Sequence, residues 1–109
     1  MEKSYSLGEF EKLVLLAVLR LREQAYGMRI RREIEERTAK NISIGAVYIT
    51  LDRLAAKGLV SSKIADPTPE RSGRAKRFWT IEAAGQTAIE ESQRALNAML
   101  NGLGLPEAI

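Results

Sequence analysis

The chain is expected to be mainly α-helical with a small two-stranded β-wing, as a winged helix-turn-helix followed by one carboxy-terminal dimerisation helix. Three observations predict this. Residues Asn41 to Val60, NISIGAVYITLDRLAAKGLV, read as a short apolar-striped helix with a glycine stop. RSGRAKRFWTI then reads as a basic turn entering a strand. An apolar seam at spacings of three and four runs through the last quarter of the sequence.

At 109 residues the chain is one unit of ordinary domain size, and an apolar content of 45% argues against a disordered tail. The net charge is only +3, but its distribution is uneven. Residues 1–80 hold 16 basic and 10 acidic side chains, whereas residues 81–109 hold 1 and 4. The positive charge therefore belongs to the first part, and the sequence divides into residues 1–81, a DNA-binding winged helix-turn-helix, and residues 82–109, a dimerisation helix with a short tail. With no Cys and no His, disulfides, thiolate chemistry, Cys/His metal sites and imidazole bases are excluded. Neither a cofactor nor a metal is expected. A secretory signal pattern and an apolar run of membrane-spanning length are both lacking, so a cytoplasmic protein without membrane association is expected.

Ser6-Leu7-Gly8-Glu9 fits a capping box that opens a first helix running to about Glu23. Its apolar run, Leu13 to Leu19, covers more than one face. One stripe should meet the core and another, with Leu15, Val18 and Leu19, a second copy of the chain. A helix buried on all sides is the competing reading, disfavoured because so small a chain has little with which to cover it. A second helix from Tyr26 or Gly27 to about Thr38 turns Ile30 and Ile34 inward. Its arginines, Arg29, Arg31, Arg32 and Arg37, are interleaved with Glu33, Glu35 and Glu36, a pattern of spaced pairs on a solvated face.

The third helix should take Ser43 as N-cap and end at Lys57, with Gly58 just beyond. Steps of 100° put Val47, Leu51 and Leu54 on the inner side, with Ile44 nearby. Gly45, Ala46, Ile49, Asp52, Arg53 and Ala56 fall opposite, with Tyr48 and Thr50 at the borders. The small amino-terminal half of that outer face lets the backbone sit deep in a major groove about 12 Å wide. Ser43, Gly45, Ala46, Tyr48, Ile49, Thr50 and Arg53 are therefore the candidate DNA-contacting residues. A thymine methyl would give Ile49 a partner, although single exposed apolar residues are common; both readings stand at this point.

Leu59 to Ala65 reads as a strand, with Val60, Ser62 and Ile64 alternating against Ser61, Lys63 and Ala65. Asp66-Pro67-Thr68-Pro69 and Ser72-Gly73 break it, and Lys76 to Ile81 returns. Between them Arg71, Arg74, Lys76 and Arg77 crowd into seven residues with no acid. Such crowding is repulsive within the chain, so phosphate oxygens are the better counter-charge than a merely solvated loop. A last helix should begin with Thr80 as N-cap and extend to about Gly102. Ile89, Ser92, Leu96, Met99 and Leu103 form its seam, with Leu100 beside them, and a second copy of the chain should cover it.

These segments together resemble the PadR family of bacterial transcriptional regulators, in its short form with one carboxy-terminal helix. The match is carried by LGEFEKLVLLAVL, AYGMRIRREIEERT, SIGAVYITLDRLAAKGLV and PTPERSGRAKRFWTIEAAG, from about Leu7 to Gly85. Its most specific parts are Tyr26-Gly27, Gly45-Ala46-Val47-Tyr48 and Leu51-Asp52-Arg53-Leu54. The resemblance implies a homodimer that binds double-stranded DNA at an inverted repeat and represses a nearby promoter. It also implies DNA contact by Tyr48 and the start of the third helix, and backbone contact by the wing cations. Some short members hold planar aromatic drugs on a tryptophan of the last helix. The segment from Glu82 to Ile109 contains no Trp, Tyr or Phe, so that route is not expected, and a small-molecule effector of another kind stays open. Trp79, in the wing strand, is read as packing.

Two other classes compete with this reading. A winged-helix module that binds protein would keep the core pattern but need neither the small-faced third helix nor the basic wing. An enzyme would have to rest on carboxylates and lysines, and the fourteen acids show no apolar setting that would tune them. An enzyme is not expected.

Overall fold

Apolar stripes at helical spacing account for most of the architecture. The computed structural model describes residues 6–65 and 76–105. The elements run α1 (Glu9–Leu21), a 3-10 turn (Arg22–Gln24), α2 (Gly27–Thr38), α3 (Ile44–Ala56), β1 (Val60–Ala65), β2 (Lys76–Ile81) and α4 (Ala83–Leu100). Order and number match the expected fold class.

The start of α1 differs from the expected cap at Ser6. Gly8 is the N-cap, and its amide donates to the Glu11 carboxylate at 2.9 Å. The second Glu11 oxygen receives the Lys57 ammonium at 3.0 Å, which ties the start of α1 to the end of α3. Burial pushes the Glu11 carboxyl up, but the Gly8 amide, the Lys57 ammonium and the Arg53 charge outweigh it and hold its pKa below the ordinary value.

Val14, Leu15, Ala17, Val18 and Leu21 of α1 are buried against Ile30 and Ile34 of α2, Val47, Leu51 and Leu54 of α3, and Leu59, Val60 and Trp79 of the wing. Leu15 and Val18, expected at a dimer surface, are thus core residues. They share a face with Val14 and Leu21, toward which the rest of the domain packs. Two stripes do exist on α1, but the outer one is made by Leu16 and Leu19, both exposed, with Leu13 half-buried beside them.

The end of α3 is as the glycine stop predicts. Gly58 has φ +77°, its amide donates to the Ala55 carbonyl at 2.9 Å, and the Leu59 amide donates to the Leu54 carbonyl at 3.0 Å. These two bonds form a Schellman motif, closed by the buried pair Leu54 and Leu59. The chain is thereby turned directly into β1.

β1 and β2 pair antiparallel, from Val60 opposite Ile81 to Ala65 opposite Lys76. The expected alternation in β1 holds only at its base. Val60 is buried, but Ile64 is 57% exposed, because no core lies behind the outer part of the wing. Trp79 is buried, as its reading as packing requires. On its other side β2 is held by the segment before α2. The Trp79 amide donates to the Ala25 carbonyl at 2.8 Å, and Tyr26 makes a single antiparallel bridge with Phe78.

The last helix starts later than the Thr80 cap predicts. Thr80 and Ile81 complete the strand ladder, and Glu82 is the N-cap, its amide bonded to the Leu59 carbonyl at 2.9 Å. Gly85 is the one buried residue of α4. A Cβ there would overlap the Leu59 carbonyl oxygen and press on Ile81. Gly85→Ala is accordingly expected to destabilise the chain by about 1–3 kcal/mol, since backbone rather than a movable side chain stands in the way. Urea denaturation of the two forms measures it, and an unchanged midpoint would mean that α4 does not sit this close.

Candidate nucleic-acid interface

Because α3 turns Val47, Leu51 and Leu54 into the core, its other side is left to solvent. The helix is set at its start by Ser43, whose hydroxyl accepts from the Ala46 amide at 3.0 Å. Gly45, Tyr48, Ile49, Asp52 and Arg53 are exposed, and Ala46 is half-buried. Ile49 is 60% exposed, a large apolar side chain with no cover from the described residues.

Thr50 does not belong to this surface. It is 4% exposed, among the inward residues. At about 100° per residue it lies about 60° from Val47 and about 40° beyond Leu54, at the edge of the inward arc, and the fold covers it there. Its expected place among the DNA-facing residues is corrected accordingly.

Two glycines bear on this face in opposite ways. At Gly45 a Cβ would meet nothing within 4 Å, so its missing side chain serves no packing need among the described residues. A glycine inside a helix costs stability relative to alanine. At Gly27 a Cβ would come within 2.5 Å of the Tyr48 hydroxyl oxygen and 2.6 Å of two ring carbons. Tyr48 therefore lies over the first turn of α2 with 45% of its surface still open. The resemblance singles out Tyr26-Gly27, but no periodicity or spacing tells that Gly27 meets position 48.

In the wing, Arg71 and Arg74 lie outside the described residues. Lys76 and Arg77 are described, and both are held. The Lys76 ammonium stands 3.8 Å above the Tyr26 ring, which packs edge-on to Phe78 with centroids 5.5 Å apart. Arg77 donates to the Ser62 hydroxyl at 2.8 Å. The start of β2, at the outer end of the described ladder, thus carries two cations with partners: Lys76 against Tyr26 at the start of α2, and Arg77 against Ser62 of β1.

The arginines around α2 are mostly spoken for, as their spacing predicts. Glu33 accepts from Arg37 at 2.6 Å and from Arg20 at 3.2 Å, with Arg29 at 4.0 Å, and Arg31 faces Glu35 at 3.8 Å. One carboxylate thus gathers three guanidinium groups, a centre that pairwise reading of α2 misses because Arg20 comes from α1. The Arg37 hydrogen bond holds the Glu33 carboxyl below its ordinary pKa, with burial opposing and Arg20 adding to the effect.

Of the expected dimer residues, Ile89, Ser92, Leu96, Met99 and Leu100 lie on α4, and Leu103 lies in the turn beyond its end. Leu96, Met99 and Leu103 are exposed, Met99 by 77%, while Ile89, Ser92 and Leu100 are half-buried. Leu19 sits between two grooves. One, of about 340 Å³, is lined by Leu13, Leu16, Leu19 and Ile34 with Arg20 and Arg37. The other, of about 290 Å³, runs past Val18 and Leu19 to Thr80 and Ile81. Among the described residues no cluster of acids could hold a metal, and no helix is long and apolar enough to cross a membrane.

Comparison with known proteins agrees with this geometry. Residues 15–91 match the transcriptional regulator PadR-like family. Among solved structures, a PadR family transcriptional regulator from Eggerthella lenta is 21% identical at a TM-score of 0.68, over 88% of this chain and 83% of that one. RosR from H. salinarum is 25% identical at 0.71, over 92% and 83%. F93 from STIV, a winged-helix DNA-binding protein, is 16% identical at 0.68, over 90% and 98%. No curated protein matches the chain.

Two measurements check the local physics. Gly45→Ala is expected to stabilise the fold by about 0.4–1 kcal/mol in urea, because the space is open and the unfolded chain loses freedom; a loss of stability would show that Gly45 serves the fold. Glu33, with its pKa lowered on folding, adds stability that is present above the unfolded value near 4.5 and is lost as pH falls through the folded one. From about pH 6 to about pH 3 the unaltered chain should therefore lose more stability than Glu33→Gln, and equal losses would remove Glu33 from the acid limb.

Proposed function

The chain belongs to the PadR-like family of transcriptional regulators, a family of DNA-binding regulators and not of enzymes, and on that premise we propose that it is a homodimeric repressor acting in the cytoplasm on an inverted-repeat operator near its own gene. The observation that carries the reading is the outward face of α3. It offers open backbone at Gly45, a mostly open Ile49 and the half-seated Tyr48, together with a wing strand that carries cations. Small residues on the leading half of a helix allow close approach to base edges, and an exposed isoleucine suits a thymine methyl. Ser43, Gly45, Ala46, Tyr48, Ile49 and Arg53 form the reading surface in this proposal. Arg71, Arg74, Lys76 and Arg77 hold phosphates on either side, which adds affinity without sequence preference.

The division of labour follows the chain: residues 1–81 read DNA, and residues 82–109 join two copies. An α4 with one buried residue, a seam of exposed Leu96, Met99 and Leu103, and outer-face Leu16 and Leu19 of α1 support this part. A second copy would bring two α3 helices to successive major grooves about 34 Å apart. Joining the seam to the grooves beside Leu19 would cover apolar surface that a lone chain leaves in water.

Replacing Leu96 and Met99 together by Glu tests the proposal. Sedimentation should show a monomer, and affinity for the inverted repeat upstream of its gene should fall by at least about a hundredfold, the scale of lost bivalency. A monomeric variant that keeps full affinity would overturn the dimeric operator, and a native chain that binds no duplex would overturn the regulator.

A further inference from the structure

The segment Ala25-Tyr26-Gly27 touches both DNA-facing elements at once. Gly27 lies beneath the Tyr48 ring of α3, at a distance that leaves no room for a methyl group. Tyr26, the N-cap residue of α2, packs edge-on to Phe78 of β2, bridges it through the backbone, and carries the Lys76 ammonium on its ring. Ala25 accepts from the Trp79 amide on the same strand. Neither α3 nor the wing is thus oriented by its own packing alone.

We infer that Tyr26 and Gly27 are positioning residues for DNA recognition: Gly27 seats the Tyr48 ring on the reading face, Tyr26 sets β2 and Lys76, and one turn fixes the angle between helix and wing. This rests on the DNA-reading proposal above. Gly27 serves space and not backbone freedom, since its φ lies outside the left-handed region. What a methyl group would strike is the far end of the Tyr48 side chain, which can swing away without moving either helix. The cost of Gly27→Ala therefore falls on where Tyr48 points and not on whether the chain folds. Likewise a ring at position 26 is what Lys76 and Phe78 require, and no hydrogen bond of the Tyr26 hydroxyl is needed for either contact.

The experiment is a two-by-two cycle in the full chain, with affinity measured for a duplex that the unaltered protein recovers from a random-sequence pool. Gly27→Ala is expected to weaken binding by about tenfold or more, the scale of one lost base contact. In a Tyr48→Ala background, already weaker and read at low salt, the same change should alter affinity by less than about twofold, because the two act through one ring. The urea midpoint of Gly27→Ala should be no lower than that of the unaltered chain. At position 26, Tyr26→Leu should weaken binding and Tyr26→Phe should restore it. Equal losses for Gly27→Ala in both backgrounds, or no loss in either, would overturn the role of Gly27; a Tyr26→Phe variant as weak as Tyr26→Leu would overturn that of Tyr26. Recovery of no duplex by the unaltered protein would instead remove the DNA-reading proposal, and this inference with it.

Discussion

The buried stripe of α1 is the constraint on which the other elements depend. Val14, Leu15 and Val18 are at most 1% exposed, and α2, α3, β2 and α4 all reach this helix. Burying such side chains is worth about 1.5–3 kcal/mol each, more than any surface pair in the chain can supply. Once α3 commits Val47, Leu51 and Leu54 to that stripe, helical geometry decides which residues face out. The proposed reading face is therefore a consequence of the core: Gly45, Tyr48, Ile49 and Arg53 are outward because their neighbours are inward.

Polar contacts then set angles that apolar burial leaves loose. Glu11 is the clearest case, with a carboxylate 7% exposed that closes the first turn of α1 and receives Lys57 from the end of α3. Removing one partner would leave a buried charge uncompensated, whereas the exposed members of the Glu33 network can turn to water. The Schellman motif at Gly58 acts in the same way on the wing, because Leu59 is at once the closing residue of α3 and the acceptor for the Glu82 amide. One backbone position thus relates α3, β1 and the start of α4.

How much of this was legible in the sequence differs by kind of feature. Element order, the Ser43 cap, the Gly58 stop and the inward residues of α2 and α3 follow from local chemistry and a 3.6-residue period, and these could be read directly. Assigning stripes on α1 was harder, since a helix apolar on more than one face has no polar residue to mark its seam; Leu15 and Val18 were expected outside and are inside, and Leu16 takes the exposed place. Thr50 stands at the edge of the inward arc by angle, and spacing alone does not tell whether an edge position is covered; the fold buries it. Ser6 yielded the cap to Gly8 because Glu11, three residues on, reaches the Gly8 amide and Lys57 together. Ile64 depends on where the sheet outruns the core, and the later start of α4 on how far the ladder runs, since Thr80 and Ile81 still pair with β1. Least legible was the contact of Gly27 with Tyr48, which joins two helices through a side chain that is missing.

The carboxy-terminal helix shows why the two halves of the chain are physically distinct even though they are continuous. Eighteen residues of helix with Gly85 alone buried gain little from tertiary packing, from which most helical stability in proteins comes. Ala88 and Ile89 pack against the core, but beyond them the apolar side chains Leu96 and Met99 gain no such cover. In the proposed dimer that missing burial comes from the second copy, so the order of α4 and the association of the two chains rise and fall together. The Gly85 contact with Leu59 then takes on a second meaning. In that dimer it would be the point at which a helix stabilised from outside is pinned to a wing stabilised from inside, and its closeness, set by the lack of a side chain, fixes the direction in which α4 leaves. The spacing of two reading helices would follow from that direction and from the seam, while the angle of each within its own subunit follows from α1 and the Tyr26-Gly27 turn. In the proposed dimer, affinity that needs both helices would thus be built from two independent geometries, one in the amino-terminal core and one in the helix that leaves it.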